Sequence, residues 1–302
     1  PYYRDTQHHH TPREDTMEQI APHIYVSTTF RYVNVGCVVG PTGVVALDAP
    51  ALPQDALTWR RQISELTDQP IVYTVLTDAH PHRLLCAGLF MAPIVSSRTA
   101  YEQAAEYTRG FWRSVIRRLK RFHPEQEETL RDVDPVLPEI LFSDRLTLHK
   151  AGADVTIERV EGSAPGSAWI KPRDVDVLFV GDTMVVGRPP VMDETPDTKA
   201  WLETLTWLRR PLFAGTALVP GRGPLSDQSA THPLSEYIRM ARRRVRSLHR
   251  SARPRDDVSG FVNELLSIFA LSDSERDQFR RRVRNGLKHV YDELAPQDLD
   301  DG

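Results

Sequence analysis

The segment "LTDAHPHRLLCAG", Leu76 to Gly88, brings Asp78, His80, His82 and Arg83 together just after the apolar run "IVYTVL". Carboxylate oxygens and imidazole nitrogens are the donors that hold zinc at about 2 Å. A guanidinium is the opposite chemistry: a permanent cation with five N–H donors and no lone pair to give. The loop is therefore a working metal site, a rebuilt one or the remains of one. Its residues alone leave all three open.

The elements around the loop must carry it at the end of a buried strand. From Ile24 onward, "HIYVS", "NVGCVVG" and "GVVALDAP" are short Val-rich runs separated by Gly, Pro and Thr, the pattern of hairpins. "DALTWRRQISEL" has helical periodicity and predicts Leu57, Trp59, Ile63 and Leu66 near one face. "AYEQAAEYTRGFWRSVIRRLKRF" predicts a long helix, kinked at Gly110 and stopped by Pro124. In its second half, Phe111, Val115, Leu119 and Phe122 form an apolar stripe among basic residues, suited to a flap over the sheets and less to a membrane surface. "DVTIERV", "SAWIKP" and "VDVLFVGD" form a second set of strands, followed by helical "TKAWLETLTWLRR", the strand "TALVP" and the turn "GRGP". This order predicts two mixed sheets packed face to face with helices outside.

After about Asp227 the chain reads as all-helical, with Ser272 and Glu275 spaced as a capping box. The domain reading is a polar, mobile tail at 1–16, a sandwich domain at 17–227 and a helical extension at 228–302. His8, His9 and His10 in the tail are poor metal ligands unless something orders them. Acidic residues flank the arginine-rich C-terminal helices and no aromatic platform is interleaved with them, so a solvated, salt-bridged face is favoured over a nucleic-acid surface.

Bulk composition narrows the function classes. The 302 residues carry 38 basic and 41 acidic side chains, a formal net charge of −3, which gives no general affinity for nucleic acid or anionic membrane. The two cysteines, Cys37 and Cys86, form no CxxC pair, which argues against a disulfide framework and a thiolate zinc site and fits a reducing cytoplasm. No apolar run approaches a membrane span, and the first residues lack a signal peptide's apolar stretch. Ser163 and Ser167 have no adjacent base and no G-x-S-x-G elbow, so turn chemistry explains them better than nucleophilic chemistry.

Four pieces in order carry a family resemblance over roughly Met17 to Asp227. "NVGCVVGPTGVVALDAP" resembles an opening hairpin ending in an aspartate, here Asp48. "TDAHPHRLLCAG" is similar to a T-H-x-H-x-D-H loop. "EGSAPGSAWIKP…VLFVGD" resembles a G-H-T-P-G turn followed by a strand and Gly-Asp, and "LVPGRGP" resembles a closing P-G-H-G-P turn. Together these resemble the metallo-β-lactamase superfamily. The resemblance implies an α/β (α+β) fold, a four-layer αββα sandwich with a two-metal site at one sheet edge, here with an all-helical C-terminal extension.

The resemblance also implies where the metal ligands would stand. Asp78, His80, His82 and Arg83 take the places of His, His, Asp and His. Ser163 replaces the turn histidine, Asp182 keeps the bridging aspartate and Arg222 replaces the last histidine. The pocket is thus expected at Asp78, His80, His82, Arg83, Ser163, Asp182 and Arg222, with Asp48 accepting hydrogen bonds behind the motif loop. Two arginines in the second metal position repel a divalent cation there.

The leading expectation is a non-hydrolytic or strongly altered member with no cofactor. Its arginines would pair with Asp78 and Asp182 and leave a pocket suited to an anionic small molecule. The alternative is a hydrolase of an ester, thioester, lactone or phosphodiester. It would use one zinc, manganese or iron ion held by Asp78, His80, His82 and Asp182, with His82 as fourth ligand or as base. Among partners, a membrane is not expected, nucleic acid is disfavoured and a homo-oligomer is left open.

Overall fold

The computed structural model describes residues 17–295. The tail assigned to 1–16, with its three adjacent histidines, lies outside the described residues, as do the last residues of the C-terminal extension. In chain order the first half contains β1 (Glu18–Ala21), β2 (Ile24–Ser27), β3 (Val35–Gly40), β4 (Gly43–Leu47), α1 (Pro53–Leu66), β5 (Ile71–Val75), α2 (Pro81–Leu84), β6 (Ile94–Ser97), α3 (Arg98–Ala105), α4 (Arg109–Phe122), α5 (Glu127–Arg131) and β7 (Ile140–Phe142). The second half contains β8 (Arg145–Leu148), β9 (Val155–Arg159), β10 (Ala168–Pro172), β11 (Val177–Val185), α6 (Thr198–Leu208), β12 (Ala217–Arg222), α7 (Thr231–Arg250), α8 (Val262–Leu266) and α9 (Asp273–Glu293).

Each half supplies one sheet. The first runs β1 to β7 in chain order, antiparallel as far as β4 and parallel from β4 to β7. The second runs β12-β11-β10-β9-β8, with β12 parallel to β11 and the others antiparallel. Alternation along each strand sends side chains to two faces. Val38, Val45, Val75 and Val95 of the first sheet meet Ile157, Ile170, Phe179 and Val219 of the second in the central core. On the outer face of the first sheet, Cys37, Val44 and Ala46 pack under Trp59 and Ile63 of α1. On the outer face of the second, Val180, Met184 and Leu218 pack under Trp201 and Leu205 of α6.

The layers are therefore helix, sheet, sheet, helix, as the sequence implied. The C-terminal helices belong to the fourth layer, because Tyr237, Ile238 and Val245 of α7 and Val283 and Leu287 of α9 share one core with Trp201. Ser272 caps α9 with a capping box closed by Glu275.

Several local expectations are corrected. In α1 the buried stripe is Ala56, Trp59 and Ile63, spaced three and four apart, while Leu57 and Leu66 are exposed because they point a step off that line. The long helix breaks at Glu106–Thr108, not at Gly110: Thr108 adopts an extended conformation and accepts a hydrogen bond from Phe111 N, starting α4 afresh. Phe122 is exposed, and the residues that seat α4 on the first sheet's outer layer are Trp112, Val115, Ile116 and Leu119. The basic face of α7 is only partly salt-bridged. Arg242 pairs with Glu293 and Arg244 with Glu264, while Arg239, Arg243, Arg246 and Arg250 make no ion pair among the described residues.

Candidate functional site

β4 and β5 are parallel, as are β11 and β12, so their C-terminal ends bring four loops to one edge of the sandwich. Asp48 follows β4, the segment Thr77–Arg83 follows β5, Asp182 lies late in β11 and Arg222 closes β12. Asp48 holds a left-handed backbone, φ 56°, which aspartate tolerates better than most residues. Its carboxylate accepts hydrogen bonds from Thr77 N at 2.9 Å and Thr77 Oγ1 at 2.7 Å, and so fixes the start of the motif loop.

Arg83 stands at the centre, with no solvent exposure. Its Nε donates to Asp48 Oδ2 at 2.9 Å, its Nη1 lies 3.3 Å from the Asp78 carboxylate and its Nη2 donates to Asp182 Oδ1 at 2.8 Å. Three buried carboxylates thus share one guanidinium. Arg222 approaches Asp182 from the other side, with Nε 3.1 Å and Nη2 2.9 Å from Oδ2. Burial works against the charged form of Arg83, but Asp182, Asp78 and Asp48 outweigh it and hold its pKa well above the ordinary value. Burial likewise raises Asp182, but Arg222 and Arg83 overcome it and hold that carboxyl well below the usual range. Asp78 receives only the longer contact, and burial pushes it up to about 6.

Gly221 makes this contact physically possible. A Cβ there would run into Asp182 Oδ1, Arg83 Nη2 and the Asp182 backbone nitrogen, none of which is the far end of a free side chain. We expect Gly221→Ala to destabilise by about 1–3 kcal/mol or more, as overpacking of a filled interior does. Gly260, which has open space around its Cβ position, is the control. Equal melting temperatures for Gly221→Ala and Gly260→Ala would refute the tight junction.

The two histidines are neutral and meet edge to face. His80 Nδ1 accepts a hydrogen bond from His82 N at 3.2 Å, and the His80 backbone N–H donates to Asp78 Oδ1 at 2.8 Å. Burial and the Arg222 charge hold His80 well below its ordinary pKa. In a neutral imidazole whose Nδ1 accepts, Nε2 carries the proton, so no lone pair is left for a metal. His82 lies against His80 and Tyr32, with ring centroids 4.8 and 4.5 Å apart. Burial and the charges of Arg222, Arg282 and Arg83 push its pKa down to about 3. Its Nδ1 is buried without a hydrogen-bond partner among the described residues.

A divalent ion fits these donors poorly. The carboxylates of Asp78 and Asp182 are engaged by guanidinium groups, and the His80 lone pair is engaged by backbone. Among the described residues no group of three or more His, Cys, Asp or Glu side chains is arranged to hold an ion.

Of the residues picked from sequence, Asp48, Asp78, Arg83, Asp182 and Arg222 come into direct contact, His80 joins them through Asp78, and His82 packs on His80. Ser163 does not: it is buried in the turn before β10 and makes no hydrogen bond to this network among the described residues. Ser167 Oγ in the same turn donates to Ala164 O at 2.8 Å, which is turn chemistry. Four contributors were not singled out in the sequence. Asn34 Nδ2 ties down the closing turn by donating to Pro220 O at 2.8 Å and Gly223 O at 2.7 Å. Gly221 is the close approach described above, and Arg188 and Arg282 are brought to the rim by the turn after β11 and by α9. The crowded Pro-Gly-Arg-Gly turn was a signal for Gly221. Arg282 lies among many arginines of α9, and nothing in its spacing marks it.

No protein-family model matches the chain, and no curated protein does. Solved structures match over most of its length. A stereoselective inverting sec-alkylsulfatase from a Pseudomonas species aligns with a TM-score of 0.68 at 13% identity, over 93% of this chain and 50% of that one, so the chain spans half the alkylsulfatase's length. A metallo-β-lactamase family protein from Thermus thermophilus aligns with a TM-score of 0.63 at 18% identity, over 90% of this chain and 93% of that one. A metallo-β-lactamase from Pontibacter korlensis aligns with a TM-score of 0.58 at 17% identity, over 74% and 98%. These likenesses, together with the two-sheet topology, establish that the chain has the metallo-β-lactamase fold.

Proposed function

We propose that this protein is a non-hydrolytic or strongly altered variant of the metallo-β-lactamase fold, in which guanidinium groups take the place of the metal centre and the pocket receives an anionic small molecule. One observation carries this reading: Arg83, wholly buried, contacts Asp48, Asp78 and Asp182 together. A guanidinium supplies the positive charge that three buried carboxylates require, in a geometry suited to carboxylate oxygens. It cannot polarise a water into hydroxide, because it offers no open coordination position. In this reading the protein needs no cofactor, and Arg83 and Arg222 hold the loops where metal ions would otherwise hold them.

The competing reading, a hydrolase with one zinc, manganese or iron ion on Asp78, His80, His82 and Asp182, requires Arg83 to withdraw from a site where all three of its nitrogens are engaged. Metal analysis decides between them. We expect protein purified without an added histidine tag and incubated with excess zinc to carry less than one tightly bound ion per chain. We also expect no metal-dependent turnover on generic esters, thioesters or phosphodiesters. One or more tight ions per chain, or turnover that is lost with chelator and in His80→Ala, would refute the guanidinium reading.

A further inference from the structure

The buried network engages all its carboxylates but not all its guanidinium groups. Asp48 is held by Thr77 and Arg83, Asp78 by His80 N and Arg83, and Asp182 by Arg83 and Arg222. On the rim stand two more arginines from different elements. Arg222 pairs across β11 and β12 with Val185, and its carbonyl accepts from Val186 N at 3.0 Å. The chain then turns through Gly187, φ 74°, and reaches Arg188 three residues beyond Val185. Arg282 of α9 comes to this turn and donates from Nη1 to Pro189 O at 3.3 Å, with its guanidinium over the Phe279 ring at 5.0 Å. Neither Arg188 nor Arg282 makes an ion pair among the described residues. Two further polar atoms of the site lack hydrogen-bond partners among the described residues. Arg222 Nη2 is buried without an aligned acceptor, although it lies 2.9 Å from Asp182 Oδ2, and His82 Nδ1 is buried with no partner among the described residues.

Arg188 and Arg282, which have no carboxylate of their own, repel each other and Arg222, whose one carboxylate, Asp182, is shared with Arg83, and such an arrangement is stabilised by an anion. Burial and the Arg222 and Arg188 charges push Arg282 down to about 10, and burial and Arg222 also lower Arg188. Asp182 and Asp193 oppose Arg282, and Glu275 and Asp182 oppose Arg188, but none of these contacts closes into an ion pair.

We infer that Arg188, Arg222 and Arg282, with His82 beneath them, form a binding site for the tetrahedral oxyanion of a phosphate or sulfate group, and that α9 is the element that completes it. A planar carboxylate presents two oxygens and satisfies one or two guanidinium forks. A tetrahedral group presents three or four and can receive donors arriving from β12, from the turn after β11 and from α9. His80, neutral with its proton on Nε2, adds a donor and no charge of its own. This inference rests on the proposed guanidinium reading and names the ligand class of that same site.

The test uses the full chain with inorganic phosphate and inorganic sulfate as probes, against chloride and acetate at matched ionic strength, read by titration calorimetry and by melting temperature. Wild type should bind phosphate or sulfate with its melting temperature rising as the anion is added, as expected for a ligand of the native state. Arg188→Ala, at an exposed position that does not threaten folding, and Arg282→Ala should each weaken that binding by about tenfold or more. Metal content is measured on the same samples. Acetate binding as tightly as phosphate, no binding of either tetrahedral anion, or unaltered affinity in Arg282→Ala would overturn this inference while a metal-free protein leaves the guanidinium reading standing. Phosphate binding that requires added zinc would overturn both.

Discussion

Replacing Arg83 with alanine is expected to cost on the order of 3–5 kcal/mol, because it leaves buried carboxylates without their counter-charge. For a chain of this size that lowers the melting temperature by on the order of ten degrees. The size of the effect follows from the contacts: one wholly buried side chain holds Asp48 at 2.9 Å, Asp78 at 3.3 Å and Asp182 at 2.8 Å. Arg83→Lys should recover only part of the loss, since an ammonium is a point charge and cannot reach three carboxylates in different directions. Arg83→Met with Asp78→Asn should be more stable than Arg83→Met alone, because it removes one of the stranded charges. Thermal unfolding of the four variants is the check. A melting temperature unchanged in Arg83→Ala would mean that the guanidinium is not the counter-charge of the site, and the proposed function would fall with it.

The fold was largely legible in the sequence and the site partly so, for different physical reasons. Strands such as "GVVALDAP" and "VDVLFVGD" have both faces buried and read as continuous apolar runs, so their identity and order follow from composition. The gathering of Asp48, Asp78, Arg83, Asp182 and Arg222 followed from the family resemblance of the four motif pieces, which lie in or just after β4, β5, β11 and β12. The helix details were less legible. Leu57 and Leu66 fit a helical face in spacing, yet which of two adjacent stripes is buried depends on how α1 crosses the sheet, which periodicity does not encode. The break before α4 is set by Thr108, whose capping competes with continuation of the helix, and Gly110 drew attention only because glycine is a weak helix former. Arg282 reaches the rim only through the packing of α9 in the fourth layer, a contact between residues distant in sequence that no local pattern announces.

The two central carboxylates should respond unequally to the same substitution, and with opposite dependence on pH. Asp182 receives both Arg83 and Arg222, so Asp182→Asn strands charge on both guanidinium groups and should cost about 3–5 kcal/mol at neutral pH. Asp78 receives one guanidinium contact at 3.3 Å, and in Asp78→Asn the new amide oxygen can still accept from His80 N. That substitution should therefore cost no more than about 1–2 kcal/mol. The pH dependence has opposite signs. Asp182 is depressed in the folded protein, so its contribution is present above the unfolded carboxyl value of about 4 and is lost as pH falls toward the folded value. Asp78 is raised to about 6, so between the unfolded value and about 6 the native state holds a proton that the unfolded chain has released. Its contribution therefore declines as pH rises through that window. Wild-type stability measured by denaturant titration should carry this opposing term between about pH 4 and 6, and Asp78→Asn should remove it, so that stability rises more steeply with pH there than in wild type. Asp182→Asn should instead lose most of its deficit relative to wild type as the solution is acidified. If Asp78→Asn proves the more damaging of the two at neutral pH, Asp182 is not the carboxylate on which both arginines converge.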